Sequence, residues 1–165
     1  MPPTERRKPM IAVCGAGQCD GGIAALAEMV GRGVAAGGAT LVCGGLGGVM
    51  EAACRGARAA GGLTVGILPG ADPAAANPDV LVPIATGLGE ARNAVIVSSA
   101  EVVIAIGGEY GTLSEIALAR KLGRPVIGLR TWDLGRAPAG EPHIQVVHSP
   151  DAAVAAALAY CKRRV

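Results

Sequence analysis

Phenylalanine is absent from the 165-residue chain, and the aromatic set is one Trp and two Tyr. A core without large rings must be built from Val, Ile, Leu and Ala and closed up through small residues. Charge is scarce too. Charged residues make up 17% of the chain against 51% hydrophobic, which excludes a disordered protein and fits one globular domain over residues 1–165, with 1–9 read as a flexible tail. No apolar stretch approaches the roughly 20 residues that cross a bilayer, and the first residues contain no apolar h-region. Neither a membrane span nor a secretory signal is therefore expected. The net charge of +2 is carried largely by two runs, Arg6-Arg7-Lys8 and Lys162-Arg163-Arg164, which read as solvated tails and not as a nucleic-acid surface.

Other absences narrow the chemistry. The five cysteines (Cys14, Cys19, Cys43, Cys54, Cys161) form no C-x-x-C pair, and their odd number argues against a disulfide framework, so a reducing cytoplasm is expected. Cys14 and Cys43 lie in strand patterns and read as small buried hydrophobes. Cys19, in a predicted loop, stands between packing filler and a reactive thiol. His143 and His148 have no acids or cysteines at ligand spacing, so no metal site is expected. No G-K-[ST] occurs, which excludes a P-loop.

Glycine is abundant, at 26 residues without a collagen-like period. Many fall in pairs at the ends of apolar runs, where they read as turns that let backbone approach a ligand. The runs are Ile11–Cys14, Thr40–Cys43, Leu63–Leu68, Val80–Pro83, Val102–Ile106, Val126–Leu129 and Ile144–Val147. Between most of them lie helical patterns: Gly22–Ala36, Gly48–Ala60, Gly89–Ser98, Thr112–Leu122 and Pro150–Cys161. Continuous apolar strands alternating with helices predict a Rossmann-like three-layer α/β fold: a parallel sheet of about seven strands with helices on both faces. Ser149-Pro150-Asp151 reads as a helix start, with Val154, Leu158 and Cys161 on the buried face behind it. Gly123 and Pro125 end the preceding helix. Gly70–Asn77 and Thr131–Pro142 read as loops, the second as a lid or an interface.

Three glycine turns follow strands and lie on one edge of such a sheet: Gly15-Ala16-Gly17, Gly44-Gly45-Leu46-Gly47-Gly48, and Gly107-Gly108-Glu109-Tyr110-Gly111-Thr112. The last opens a helix, where N–H groups and the dipole favour a phosphate. Thr112 adds a hydroxyl, and Glu115, placed in the first turn, either caps the helix or does chemistry. Arg92, beside Asn93 at another helix start, clamps an anion or pairs with a surface acid. Tyr110 packs beside a planar ring or simply faces solvent. A dinucleotide site is disfavoured: Asp20 stands where G-x-G-x-x-G needs its third glycine, and Cys43-Gly44-Gly45 offers no ribose-binding acid.

Gly44-Gly45-Leu46-Gly47-Gly48-Val49-Met50, then Arg92, then Gly111-Thr112-x-x-Glu115 resemble the LOG-like family, once misnamed lysine decarboxylases. The resemblance runs from Ile11 to about Ala159, and within the family it is strongest to the molybdenum cofactor carriers. It implies a cytoplasmic homotetramer that binds molybdenum cofactor (molybdopterin), protects it from oxidation and delivers it to apo-molybdoenzymes. The implied cofactor-binding residues are Gly15, Ala16, Gly44, Gly45, Leu46, Gly47, Arg92, Asn93, Gly107, Gly108, Tyr110, Gly111, Thr112 and Glu115. The low charge is consistent with surface that an oligomer covers. The family also contains nucleoside 5′-monophosphate phosphoribohydrolases, in which an arginine and a glutamate act on the N-glycosidic bond. Arg92 and Glu115 occupy those positions and make hydrolysis the alternative function. Against the hydrolase motif Pro-Gly-Gly-x-Gly-Thr-x-x-Glu, this chain has Gly107 for the proline and Glu109 for the second glycine, and Arg92-Asn93 replaces Arg-Lys. One cation is lost and one anion gained beside the expected phosphate, which argues for holding a ligand over cleaving it.

Overall fold

The computed structural model describes residues 7–163. Residues 1–6 of the expected tail lie outside these, as does Arg164. Seven strands form one all-parallel sheet: β1 Met10–Gly15, β2 Thr40–Cys43, β3 Thr64–Leu68, β4 Val82–Ala85, β5 Val102–Ile106, β6 Val126–Leu129 and β7 Gln145–Val147. Five helices connect them: α1 Gly21–Ala36, α2 Val49–Ala59, α3 Arg92–Ser99, α4 Tyr110–Lys121 and α5 Pro150–Arg163. The strand order β4-β3-β2-β1-β5-β6-β7 reverses between β1 and β5. Helices α1, α2 and α5 pack on one face, around Ile11, Val13, Leu41 and Ile104. Helices α3 and α4 cover the other, around Ala12, Val42, Val103 and Ala105. Strands β1, β2, β3, β5 and β6 are buried on both faces, which is why their sequences are continuous apolar runs.

The departures from the sequence expectations have local causes. The fourth strand begins later than Val80, because residues 77–81 turn around Thr64: its hydroxyl donates to the Asp79 carbonyl (2.6 Å) and accepts from Leu81 N–H (2.9 Å). Pro83 then falls inside β4, which is tolerated because β4 is an edge strand. A single 3₁₀ turn at Gly89–Ala91 precedes α3. Helix α4 starts two residues before the expected Thr112, so Glu115 belongs to its second turn and is no first-turn cap. In α5 the Ser149 hydroxyl accepts from Ala152 N–H (3.2 Å), as the N-cap reading expects. Its fully covered face, however, is Pro150, Ala153, Ala157 and Cys161. Val154 and Leu158 lie beside that face, half-buried against Gly33 and Gly37. Lys162 and Arg163 are not tail residues but the last turn of α5, where cations meet the negative end of the helix dipole.

Not every glycine is a turn. Gly31 of α1 lies against the Ala53 carbonyl of α2, and Gly56 of α2 lies against the Glu28 carbonyl of α1, with no room for a Cβ at either. The two helices therefore touch backbone to backbone, with the Arg55–Glu28 ion pair (3.0 Å) beside the crossing. On an open helix, Gly→Ala stabilises by about 1 kcal/mol. Here the added methyl must push two helix backbones apart, so Gly56→Ala is expected to destabilise by at least about 2 kcal/mol. Urea denaturation of the two proteins measures the sign.

Candidate functional site

The C-terminal ends of β1 and β5 are neighbours, in register at Gly15 and Ile106, and the strand order reverses there. Ligands of open α/β sheets bind at such a crevice. All three glycine turns meet at this edge. Val49 N–H donates to the Ala16 carbonyl (3.1 Å), fastening the second turn to the first. The first turn can reach it because Gly15, lacking a Cβ, leaves space that the Val49 side chain fills. Asn77, missed by the sequence reading, holds the second turn from outside: its N–H donates to the Gly45 carbonyl and its side-chain amide to the Leu46 carbonyl, both at 2.9 Å. The only signal for it was Asn77-Pro78, a turn dipeptide.

The helix N-termini that open at this edge are not equivalent. At α1, the Asp20 carboxylate accepts from Ile23 N–H (2.8 Å). A carboxylate already occupies that positive pole, so the helix start that a dinucleotide fold gives to pyrophosphate is closed to anions here. Helix α2 carries Glu51 in its first turn, and α3 begins with a 3₁₀ turn. Helix α4 has neither a side-chain cap nor an acid in its first turn. The N–H groups of Tyr110, Gly111 and Thr112 have no carbonyl one turn back. Gly108 makes the turn possible with φ +110°, and a Cβ there would come within 2.5 Å of the Thr112 side chain. The Glu109 side chain is exposed at the rim, where solvent screens its charge. From the other side, the Thr131 hydroxyl donates to the Gly107 carbonyl and the Trp132 indole N–H to the Glu109 carbonyl (3.2 Å). Both anchors were missed inside a stretch that read as a lid or an interface loop.

Beneath the turns lies a buried polar group. Arg92 is 7% exposed, Asn93 4%, Glu115 6% and Thr112 2%. The Arg92 guanidinium lies over Gly44, where a Cβ would meet it at 2.8 Å, and donates to the Asn93 side-chain carbonyl. Arg92 Nε is buried with no hydrogen-bond partner. Its low exposure rules out the surface ion-pair reading. Glu115 accepts from the Cys14 thiol, with the Arg92 charge nearby. Burial dominates and pushes the Glu115 carboxyl up to about 7, against the opposing pull of Cys14 and Arg92. Burial and Glu115 together hold the Cys14 thiol well above its ordinary value. Cys19 also sits above its ordinary value, through burial and the Asp20 charge, and packs against the α1 face as a hydrophobe. Tyr110 is 81% exposed, with its ring centroid 5.7 Å from that of Trp132.

A Rossmann-like parallel sheet with an uncapped helix start at its switch point defines the class of fold. The chain belongs to the SLOG cluster4 family, whose model matches residues 8–156. An uncharacterised protein of Archaeoglobus fulgidus is 48% identical over 73% of this chain and 79% of its own. The molybdenum cofactor binding protein of Rippkaea orientalis is similar in structure, with a TM-score of 0.81 and 38% identity over 96% of both chains. The molybdenum cofactor carrier protein of Chlamydomonas reinhardtii superposes at 0.83 with 35% identity, over 94% of this chain and 99% of that one. The LOG-like resemblance read from the glycine motifs and Arg92 is thereby shown.

Glu115 makes stability depend on pH. Its folded value, about 7, exceeds the unfolded 4.5. Its favourable contribution is thus complete below pH 4.5 and lost as pH rises through 7. Glu115→Gln keeps an acceptor for Cys14 but cannot ionise. The wild-type stability relative to this variant is expected to fall by on the order of 3 kcal/mol across that window. Chemical denaturation of both proteins at a series of pH values tests this, and parallel curves would refute it.

Proposed function

We propose that this protein binds molybdenum cofactor as cargo, shields it from oxidation and passes it to apo-molybdoenzymes, working as a cytoplasmic homotetramer without catalysing a reaction. The carrying observation is the likeness to two molybdenum cofactor proteins over nearly the full length of both chains. The site geometry supports it. The terminal phosphate is assigned to the N–H groups of the Gly107–Thr112 turn, at the one helix start left without a carboxylate cap or first-turn acid among α1, α2 and α4. Gly15, Ala16 and the Gly44–Gly47 turn form the facing wall, and Arg92 supplies positive charge from below. Among the described residues no helix is long and apolar enough to cross a membrane.

Nucleotide hydrolysis gains no support from the same residues. A glutamate that acts on an N-glycosidic bond must reach it. Glu115 is 6% exposed and engaged with Cys14 below the turns.

Wild-type protein incubated anaerobically with molybdopterin is expected to retain it through gel filtration and to reconstitute an apo-molybdoenzyme. Gly108→Ala, which forces the turn against Thr112, is expected to weaken retention at least about ten-fold, the loss of one charge-assisted hydrogen bond or more. Release of free base from nucleoside monophosphates, abolished by Glu115→Gln, would overturn this reading in favour of the hydrolase.

A further inference from the structure

Three aromatic residues are present in the whole chain, and two of them, Tyr110 and Trp132, stand together beside the α4 turn. Their placement is specific. Tyr110 is the first residue of α4, and it is 81% exposed. Trp132 comes from the segment after β6, half-buried against the α3–α4 face of the core. Its indole N–H is bonded to the carbonyl of Glu109, the residue that precedes Tyr110. The Thr131 hydroxyl, one residue earlier, is bonded to the Gly107 carbonyl. The tryptophan is thus fixed to the same turn whose N–H groups face outward, and it meets the tyrosine ring at 43°. The tilted contact with Trp132 supports the tyrosine and leaves most of it exposed.

We propose that Tyr110 is a stacking platform for a planar heterocycle and that Trp132 is its brace, so that the ligand class is a phosphomonoester carrying a flat, fused-ring base. This rests on the reading of the Gly107–Thr112 turn as the phosphate cradle. The ring then lies on the β6 side of the cradle, over α4, and not on the side of Arg92. Arg92 acts on the phosphate end through its charge, buried against Gly44. Exposed aromatics are sequence-tolerant partners because every flat base has a π-face, and truncating one such contact weakens binding about 5- to 150-fold. Hydrogen bonding at the cradle sets where the phosphate sits, and stacking sets which molecules gain by sitting there. The close spacing of the cradle and Tyr110, adjacent along one helical turn, suits a short linker between phosphate and ring.

The experiment uses the full chain and three probes: a pterin phosphomonoester, adenosine monophosphate and inorganic phosphate. With a single tryptophan in the chain, its emission reports directly on the platform. The expected result is quenching on binding of the pterin phosphomonoester and about ten-fold or greater weakening in Tyr110→Ala. Tyr110→Phe is expected to bind as the wild type does, and inorganic phosphate to bind all three proteins equally. Tyr110 is exposed, so its truncation leaves the fold intact, and a thermal melt confirms that. Equal affinity of wild type and Tyr110→Ala for the pterin probe overturns the platform and leaves the cargo reading standing. Equal loss of inorganic phosphate in Tyr110→Ala also overturns it, since the residue would then act through the turn. Binding of adenosine monophosphate but not of the pterin, with the same loss in Tyr110→Ala, supports the platform and overturns the cargo reading. Binding of neither planar probe by the wild type overturns both.

Discussion

Helices α1 and α2 cross so closely that each presents a glycine to the other's backbone: Gly31 faces the Ala53 carbonyl and Gly56 faces that of Glu28. The position of α2 follows from this crossing, and the site follows from the position of α2. With α2 drawn in, its N-terminus brings Val49 N–H to the Ala16 carbonyl and the Val49 side chain into the space over Gly15. Two of the three glycine turns are thereby locked into one wall. The same constraint accounts for the composition. A fold whose helices meet backbone to backbone has little volume for large rings, and its core is filled by Val, Ile, Leu, Ala and Cys.

Within that frame, the electrostatic choice among helix ends is made by single side chains. Asp20 turns its carboxylate into the start of α1 and so neutralises the helix that, in a dinucleotide fold, would face pyrophosphate. The start of α4 is left open, with Glu109 at its exposed rim. Sequence comparison with the hydrolase motif made Glu109 an added anion beside the phosphate. Its exposure reduces that effect, because a solvated charge interacts through a high dielectric. In the proposed function the stronger control lies deeper, in Arg92, whose guanidinium is desolvated and has one nitrogen with no partner.

The sheet was legible because buried parallel strands must be apolar on both faces: Thr40–Cys43, Val102–Ile106 and Val126–Leu129 occupy the residues that their sequences predicted. What the sequence hid was anything set by a distant neighbour. The start of β4 depends on the Thr64 side chain, and the covered face of α5 depends on how α1 offers Gly33 and Gly37 to Val154 and Leu158. Gly31 and Gly56 lie inside helices, and nothing in their local sequence marks the partner backbone that each one faces. At the site, glycine pattern and Arg92 were readable because backbone approach and fixed charge leave a residue-type signature. Asn77, Thr131 and Trp132 act by bonding carbonyls at Gly45, Leu46, Gly107 and Glu109, and a carbonyl carries no side-chain signature.

Glu115 shows why motif and role must be separated. Its motif position is that of a catalytic glutamate in the hydrolases, but the early start of α4 puts it in the second turn, turned inward. There burial favours the neutral form, and the Cys14 thiol and Arg92 only partly offset that preference. In its neutral form, about half the population at pH 7, Glu115 does not consume the charge of Arg92. In the proposed function that matters more than any chemistry of its own, because the guanidinium's attraction remains available to a phosphate above the turns. An arriving anion would in turn raise the cost of ionising Glu115, so ligand and proton favour each other. A buried acid held near neutrality thus suits a site that holds an anion, whatever its counterpart does in enzymes that cleave one.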